Sequence, residues 1–380
     1  MYNPPFGTNY VPQQSAPTPA QVKRSFTTHN NITGGGLLLY LALFLGLQII
    51  PEVIYMVVYI YKHPDLTYDE IYNSTLDFCM NGWIYIGSLV AGLIALFLYF
   101  RKRLPVSDLF VTPRRMTVKT FFFLFVMIYA AQFIGQAISI ALELFLNIFG
   151  YSNEEVAELM NEIFTHPSMI IYAAIFGPIA EELVFRGFLM RRFQAWGKVF
   201  AIVSSAILFG LFHMNYVQIP YAIVVGIVFG YVAMEYGIRW SIIYHIINNG
   251  LISFGFSFLG RNTSIGETKA EYLEIAFFAV CFIIGIPLFI ISFKKLKEYI
   301  RENKTEKPRY FWGFTTATIL LMVILSIGFA SFTLFTSQGD PENIGNYSNV
   351  LTLTGIVTAA ITALFLLIMY LISRKPSNSK

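Results

Sequence analysis

The sequence predicts an all-α polytopic membrane protein with about ten transmembrane helices. Three observations carry that reading. The residues Ala, Val, Ile, Leu, Met, Phe, Trp, Tyr and Cys fill 56% of 380 positions, before 27 glycines are added, whereas soluble domains reach about 45–50% with glycine included. Charged residues are 13% of the chain, roughly half the usual share. The mean hydropathy is +0.60. Together these exclude a soluble enzyme, a disordered protein and a disulfide-rich secreted domain. The net charge of +4 comes from short basic clusters between apolar runs, a membrane-protein pattern that does not point to nucleic acid. Two cysteines, Cys79 and Cys281, form neither a disulfide framework nor a metal-ligand spacing and read as small apolar fillers.

Residues 1–33 form a Pro-rich tail with Pro4, Pro5, Pro12, Pro17 and Pro19. It offers too little apolar surface to offset the entropy of ordering, which predicts disorder. No basic segment leads directly into a short apolar core, so it is not a signal peptide. A spanning helix needs about 20 apolar residues. Two such runs, 36–61 and 81–100, lie within 34–117. Five more, 118–149, 168–190, 199–214, 218–235 and 239–258, lie within 118–258. The last three, 272–292, 310–334 and 349–372, lie within 259–380. The run 199–214 is short for a full span, and 118–149 is long enough to tilt or to continue along the interface.

The charges constrain the count. Arg101, Lys102, Arg103, Arg114 and Arg115 face only Asp108 within 101–116, Arg191, Arg192 and Lys198 form the next basic loop, and 294–309 holds seven basic residues against Glu298, Glu302 and Glu306. Arg374, Lys375 and Lys380 close the chain. The alternate loops are acidic, with Asp65, Asp69, Glu70 and Asp77, then Glu154, Glu155, Glu158 and Glu162, then Asp340 and Glu342. Ten spans put every basic cluster on one side, and the positive-inside rule makes that side the cytosol, with both termini in it. No matching pair of helix breaks marks an inverted-repeat transporter.

Ionisable groups at a helix centre cost about 2.5–3.5 kcal/mol each on insertion scales, so they mark function by default. Glu181, Glu182 and Arg186 stand within one apolar segment. Glu182 and Arg186 are spaced i, i+4 and share a face, which suits an ion pair. Glu181 is rotated by about 100° from Glu182 and stays free to act as a base. His213 ends the fifth apolar run, four residues after Phe209. His245 sits in the seventh, with Asn249 at i+4 and Asn248 at i+3. Glu235 and Arg239 flank a helix end and read as interfacial.

These residue types supply what amide hydrolysis by water needs. A carboxylate or imidazole takes the proton from water. Imidazole and amide N–H groups stabilise the oxyanion. Alternatively, two His and a carboxylate, here Glu181, His213 and His245, could hold Zn2+ with one open position. Without zinc, no cofactor is implied.

The ordered set Glu181-Glu182-x-x-x-Arg186, Phe209-x-x-x-His213 and His245-x-x-x-Asn249, on successive membrane segments, resembles the CPBP family of intramembrane proteases, also called Abi or CAAX protease self-immunity proteins, which includes the type II CAAX prenyl endopeptidases. The resemblance spans roughly 118–258, which it marks as the protease core, with its motifs in 181–249. It implies catalytic roles for all six residues: Glu181 activates water together with His213, Glu182 pairs with Arg186, and His245 and Asn249 bind the oxyanion or orient the water. Other intramembrane proteases fit poorly. Gly255-Phe-Ser257 has no later His partner, and neither Gly-x-Gly-Asp nor His-Glu-x-x-His occurs.

The resulting expectation is an intramembrane endopeptidase that cleaves a membrane-associated peptide or protein substrate. The competing reading is a non-proteolytic scaffold or bacteriocin self-immunity factor that acts by binding. A transporter with ion-coupled carboxylates is a third. The partners implied are the substrate and the lipid bilayer, not nucleic acid. The tail and the three extra C-terminal helices are places for a membrane partner. The location expected is a bacterial plasma membrane.

Overall fold

The first helix begins at Pro19, inside the stretch assigned above to a disordered tail. The structure is a computed structural model and describes residues 17–151, 166–304, 310–336 and 347–374. Helix α1 spans Pro19–Lys62 and opens with a capping box. Gln21 N–H donates to the Thr18 hydroxyl at 3.3 Å, and Thr18 N–H donates to the Gln21 side-chain oxygen at 2.8 Å. Pro19 at the first helical position adds a preset φ and lacks only a donor that would be orphaned anyway. Phe26 then buries fully against Trp196 and Phe200. Local capping and one aromatic anchor thus make 19–33 helical despite its polarity. Residues 1–16, the acidic loop 154–162 and the pair Asp340 and Glu342 lie outside the described residues.

After α1 come α2 (Tyr68–Cys79), α3 (Gly82–Phe100) and α4 (Val118–Ile148). The site region follows with α5 (Pro167–Trp196), α6 (Lys198–Phe212), α7 (Gln218–Tyr236) and α8 (Ile238–Asn262). The chain ends with α9 (Glu267–Glu302), α10 (Ala317–Thr336) and α11 (Tyr347–Arg374). Among the described residues, nine helices are long and apolar enough to cross a membrane by length and composition, and α6 is a shorter apolar helix. The chain is an all-α integral membrane protein.

Helix α6 has 15 residues, about 22 Å at 1.5 Å per residue, short of the roughly 30 Å hydrocarbon core. It is apolar all round, and nearly every side chain from Phe200 to Leu211 is buried. Such a helix belongs inside a bundle rather than against lipid. It packs along α7, against α5 and against α10. Outside it, α1 packs on α3 and α10, and α4 packs on α7 and α9. Lipid-facing rows remain on the outer helices, such as Ile283, Ile290 and Ile291 on α9.

Two joints shape the centre. Gly237 links α7 to α8 at φ +96°, a conformation that suits glycine. A Cβ there would also sit 3.0 Å from the Val111 carbonyl oxygen. Glu235, expected at the interface, is instead 1% exposed. Lys198 Nζ at 2.7 Å, Arg114 Nε at 3.1 Å and the Tyr299 hydroxyl at 2.9 Å surround its carboxylate. Two cations and a hydroxyl donor offset the desolvation of one anion, so the helix end can be covered. This cluster ties α6 and α7 to α9.

Candidate active site

Helices α5 and α8 are not regular. Within α5, Tyr172–Phe176 and Leu183–Leu189 wind as π-helix, with an α-helical piece Gly177–Glu182 between them. Within α8, Ile247–Ser253 does the same. Such bulges mark functional sites more often than ordinary helix does. The six candidate residues sit on or beside these segments and on the end of α6.

Glu182 is fully buried. Arg186 Nη1 lies 3.0 Å from its Oε1, and His245 Nδ1 lies 3.0 Å from the same oxygen. Ser241 Oγ donates to Oε2. One carboxylate therefore joins α5 to α8 through His245 and Ser241 and holds Arg186 on its own helix. Arg186 is also fully buried. Its Nη2 donates to the Gly226 carbonyl at 3.2 Å, and its guanidinium stacks 4.2 Å from the Phe209 ring centre. A desolvated cation over an aromatic face gains about 2 kcal/mol, which offsets part of the burial cost. Position 226 is tight, because a Cβ would fall 3.1 Å from both Arg186 Nη2 and Phe209 Cδ1, and one of them would have to give.

Among the described residues, Glu181 forms no ion pair with Arg186. Its Oε2 lies 3.6 Å from His245 Nε2, and its side chain keeps 21% of its surface open. His245 thus stands between two carboxylates, with one ring nitrogen toward each. Phe229 packs against its ring at 4.9 Å. The Phe209 ring meets His245 edge-on at 5.9 Å and His213 edge-on at 4.9 Å, so one phenyl touches both imidazoles. His213 Nδ1 contacts the Phe209 carbonyl at 3.0 Å, which leaves Nε2 as its outward nitrogen.

The two asparagines part from the expected arrangement. Asn249 Nδ2 donates to the Ala173 carbonyl at 3.4 Å, and Asn248 Nδ2 donates to Asn249 Oδ1 at 3.0 Å and to the Tyr221 hydroxyl at 3.3 Å. Both asparagines lie in the π-helical stretch Ile247–Ser253. Asn249 lines a cavity of about 330 Å³, with Ala173, Ser253, Ser257 and Glu274 also on its wall.

The conditional zinc set does not gather. Among the described residues, no three His, Cys, Asp or Glu side chains come together at metal-ligating spacing. Glu181 and His245 Nε2 approach one another at 3.6 Å, and Glu182 on Nδ1 is compatible with Nε2 as a ligand, but His213 does not join them as a third ligand. The donor set as placed does not fit a three-ligand zinc centre, and no step below runs through a metal.

Several residues escaped the sequence reading. Ser241 was legible in principle, since it shares a helix face with His245 at i, i+4. Phe229 and Tyr221 carry no such signal, because only the fold brings α7, which bears them, against His245 and Asn248 on α8. Tyr40 on α1 is fully buried, its hydroxyl has no hydrogen-bond partner among the described residues, and it lies in electrostatic range of Glu181.

Residues 163–251 match the sequence family described as type II CAAX prenyl endopeptidase Rce1-like. The chain carries an Rce1-like domain. The matched stretch runs from before α5 into α8 and contains Glu181, Glu182, Arg186, His213, His245 and Asn249. At the level of the family, this match supports a CAAX-type intramembrane endopeptidase, a protease whose substrate is membrane-associated. Helices α1, α3, α4, α9, α10 and α11 lie outside the match. No curated protein and no solved structure matches the chain.

Proposed function

We propose that the Rce1-like domain hydrolyses a peptide bond with a water activated by Glu181 and held by His245. The observation that carries this is the placement of His245 between Glu182 at 3.0 Å and Glu181 at 3.6 Å. Glu182 is committed to Arg186, Ser241 and His245, so it orients rather than reacts. Glu181 is partly open and, among the described residues, is not ion-paired with any Lys or Arg, so its carboxylate can accept a proton from water.

In the reaction that follows, the water oxygen adds to the scissile carbonyl carbon as Glu181 takes the proton. The carbonyl oxygen becomes an oxyanion and accepts hydrogen bonds from imidazole N–H, and from Asn249 Nδ2 where the substrate reaches the cavity. Glu181 then returns the proton to the leaving amine as the C–N bond breaks. Glu182 keeps Nδ1 of His245 engaged, which fixes the ring and directs Nε2 to the reacting atoms. His213 assists the water from its outward Nε2. We read the chemistry as of the glutamate type, because Glu181 and His245 meet as proton-transfer partners and no ligand triad gathers among the described residues.

The substrate class that fits is a C-terminal lipidated peptide, such as a prenylated CAAX sequence, or another small membrane peptide. The basic clusters favour cytosolic termini in a bacterial plasma membrane, with Glu181 facing a substrate in the cytosolic half. The test replaces Glu181 by Gln in the full-length protein in membranes. Cleavage of a farnesylated C-terminal peptide should fall by about 10²–10⁴-fold, and uncleaved membrane peptides should accumulate by mass spectrometry. Full cleavage by Glu181→Gln rejects the base. Persistence of partner binding or immunity in a Glu181→Gln/His213→Ala double variant would favour the binding-only reading.

A further inference from the structure

A second concave site lies away from the catalytic residues. A cleft of about 600 Å³ opens where the first turns of α1 meet the end of α5 and the loop after α3. Arg24, Arg103 and Arg192 reach it from these three elements, together with His29, Ser25 and Thr28. No carboxylate lines it. Among the described residues, no Asp or Glu pairs with any of the three arginines. Basic residues at a membrane surface are ordinary, but three arginines from three elements bring like charge to one cleft, with Arg103 also donating to the Tyr99 carbonyl at 3.1 Å.

The cleft is also built. His29 Nε2 donates to the Arg192 carbonyl at 2.7 Å, and Arg192 Nη2 donates to His29 Nδ1 at 3.3 Å. This staples α1 to α5 and holds Arg192 half-buried against the Phe100 ring at 5.7 Å. Arg192 Nε is buried with no hydrogen-bond partner among the described residues. Ser25 and Thr28 add hydroxyl donors on the α1 wall. Planar guanidinium forks with hydroxyls beside them match the oxygens of a phosphate group. The height agrees. The cleft lies along Gln21–Ile32, just before the apolar run of α1, where the headgroup layer meets the hydrocarbon.

We propose that this cleft binds a phosphate-bearing anion, supplied in the membrane by the headgroup of an anionic phospholipid. The site is independent of the proteolytic reading. It sits on the end of the helix that carries Glu181, so lipid there would steady the same element.

The experiment uses the full-length protein in detergent. Native mass spectrometry across a titration with equal phosphatidylglycerol and phosphatidylcholine reads lipid retention, for wild type and for an Arg24→Gln/Arg103→Gln variant. Both replaced side chains are exposed, so the fold is kept, and thermal unfolding checks this. Each arginine near an anionic headgroup is worth about fivefold in affinity. Wild type should retain phosphatidylglycerol over phosphatidylcholine, and the variant should lose about 25-fold of that affinity by the same rule. A parallel arm titrates inorganic phosphate alone. A variant-sensitive rise in unfolding temperature there, without lipid preference, assigns the site to a free phosphate anion. Equal retention of the two lipids with no phosphate effect, or identical binding by wild type and variant, overturns the proposal.

Discussion

Glu182 and His245 lie 63 residues apart in sequence and meet at 3.0 Å in a site that leaves the carboxylate no exposed surface. That contact joins α5 to α8. It also divides the acidic doublet into one fully buried carboxylate and one that keeps 21% of its side chain open.

Removing Glu182 should be a stability lesion before it is a kinetic one. Glu182→Ala leaves the Arg186 guanidinium buried and unpaired, and breaking a buried pair in this way costs about 3–5 kcal/mol. Thermal unfolding in detergent should show a large drop, with a smaller one for Glu182→Gln. An unchanged midpoint in Glu182→Ala would mean that Arg186 finds another anion.

Tyr40 gives the opposite pattern. Its ring is packed against Phe44 and Phe212 at 6.0 and 5.9 Å, while its buried hydroxyl has no partner among the described residues. Tyr40→Phe keeps the ring and should leave the unfolding temperature at or slightly above that of wild type. If the hydroxyl serves water or substrate beside Glu181, turnover should fall by about three- to tenfold, the worth of one hydrogen bond. Wild-type turnover would restrict Tyr40 to packing.

Gly226→Ala tests the close approach of α7 to the guanidinium. The added methyl would press on Arg186 Nη2 and on Phe209. Overpacking of this kind costs about 1–3 kcal/mol. Because Phe209 touches both imidazoles, the variant should lose turnover as well as stability. Stability equal to wild type would show that the α6–α7 contact can open without penalty.

Outside the membrane, α2 should fray in acid. Hydrogen bonds from the Thr67 N–H at 2.9 Å and hydroxyl at 2.8 Å to the Glu70 carboxylate hold its pKa below the ordinary 4.5. The folded pKa is the lower one, so the cap contributes fully above the unfolded value and is lost as pH falls through the folded one. Amide hydrogen exchange in the first turn of α2 should quicken as pH drops below about 4 relative to a neighbouring helix. Glu70→Gln should abolish that pH dependence. Equal acid sensitivity in the variant would assign the fraying to another group.

Much of the bundle was legible because a bilayer imposes length and polarity on each segment separately. The spans 118–149 and 218–235 fall within a residue or so of α4 and α7 for that reason. The start of α1 was misread because a polar stretch looks unstructured until one sees Phe26 against Trp196. The run 199–214 looked too short to span, and its burial inside the bundle explains how it can be short. The π segment at Ile247–Ser253, on which Asn248 and Asn249 lie, was not legible, because helical spacing in a sequence does not reveal a change of winding.

The sequence alone determined that this chain lives in a membrane and that Glu181, Glu182, Arg186, His213 and His245 are its costly intramembrane polar groups, because hydropathy and insertion cost are properties of each residue where it stands. Tertiary structure decided which of them touch. It gave Arg186 and His245 to Glu182, left Glu181 partly open, set Phe209 between the imidazoles and turned Asn249 toward another cavity. Those outcomes depend on how helices far apart in the chain pack and where they change winding, and local periodicity carries no record of either.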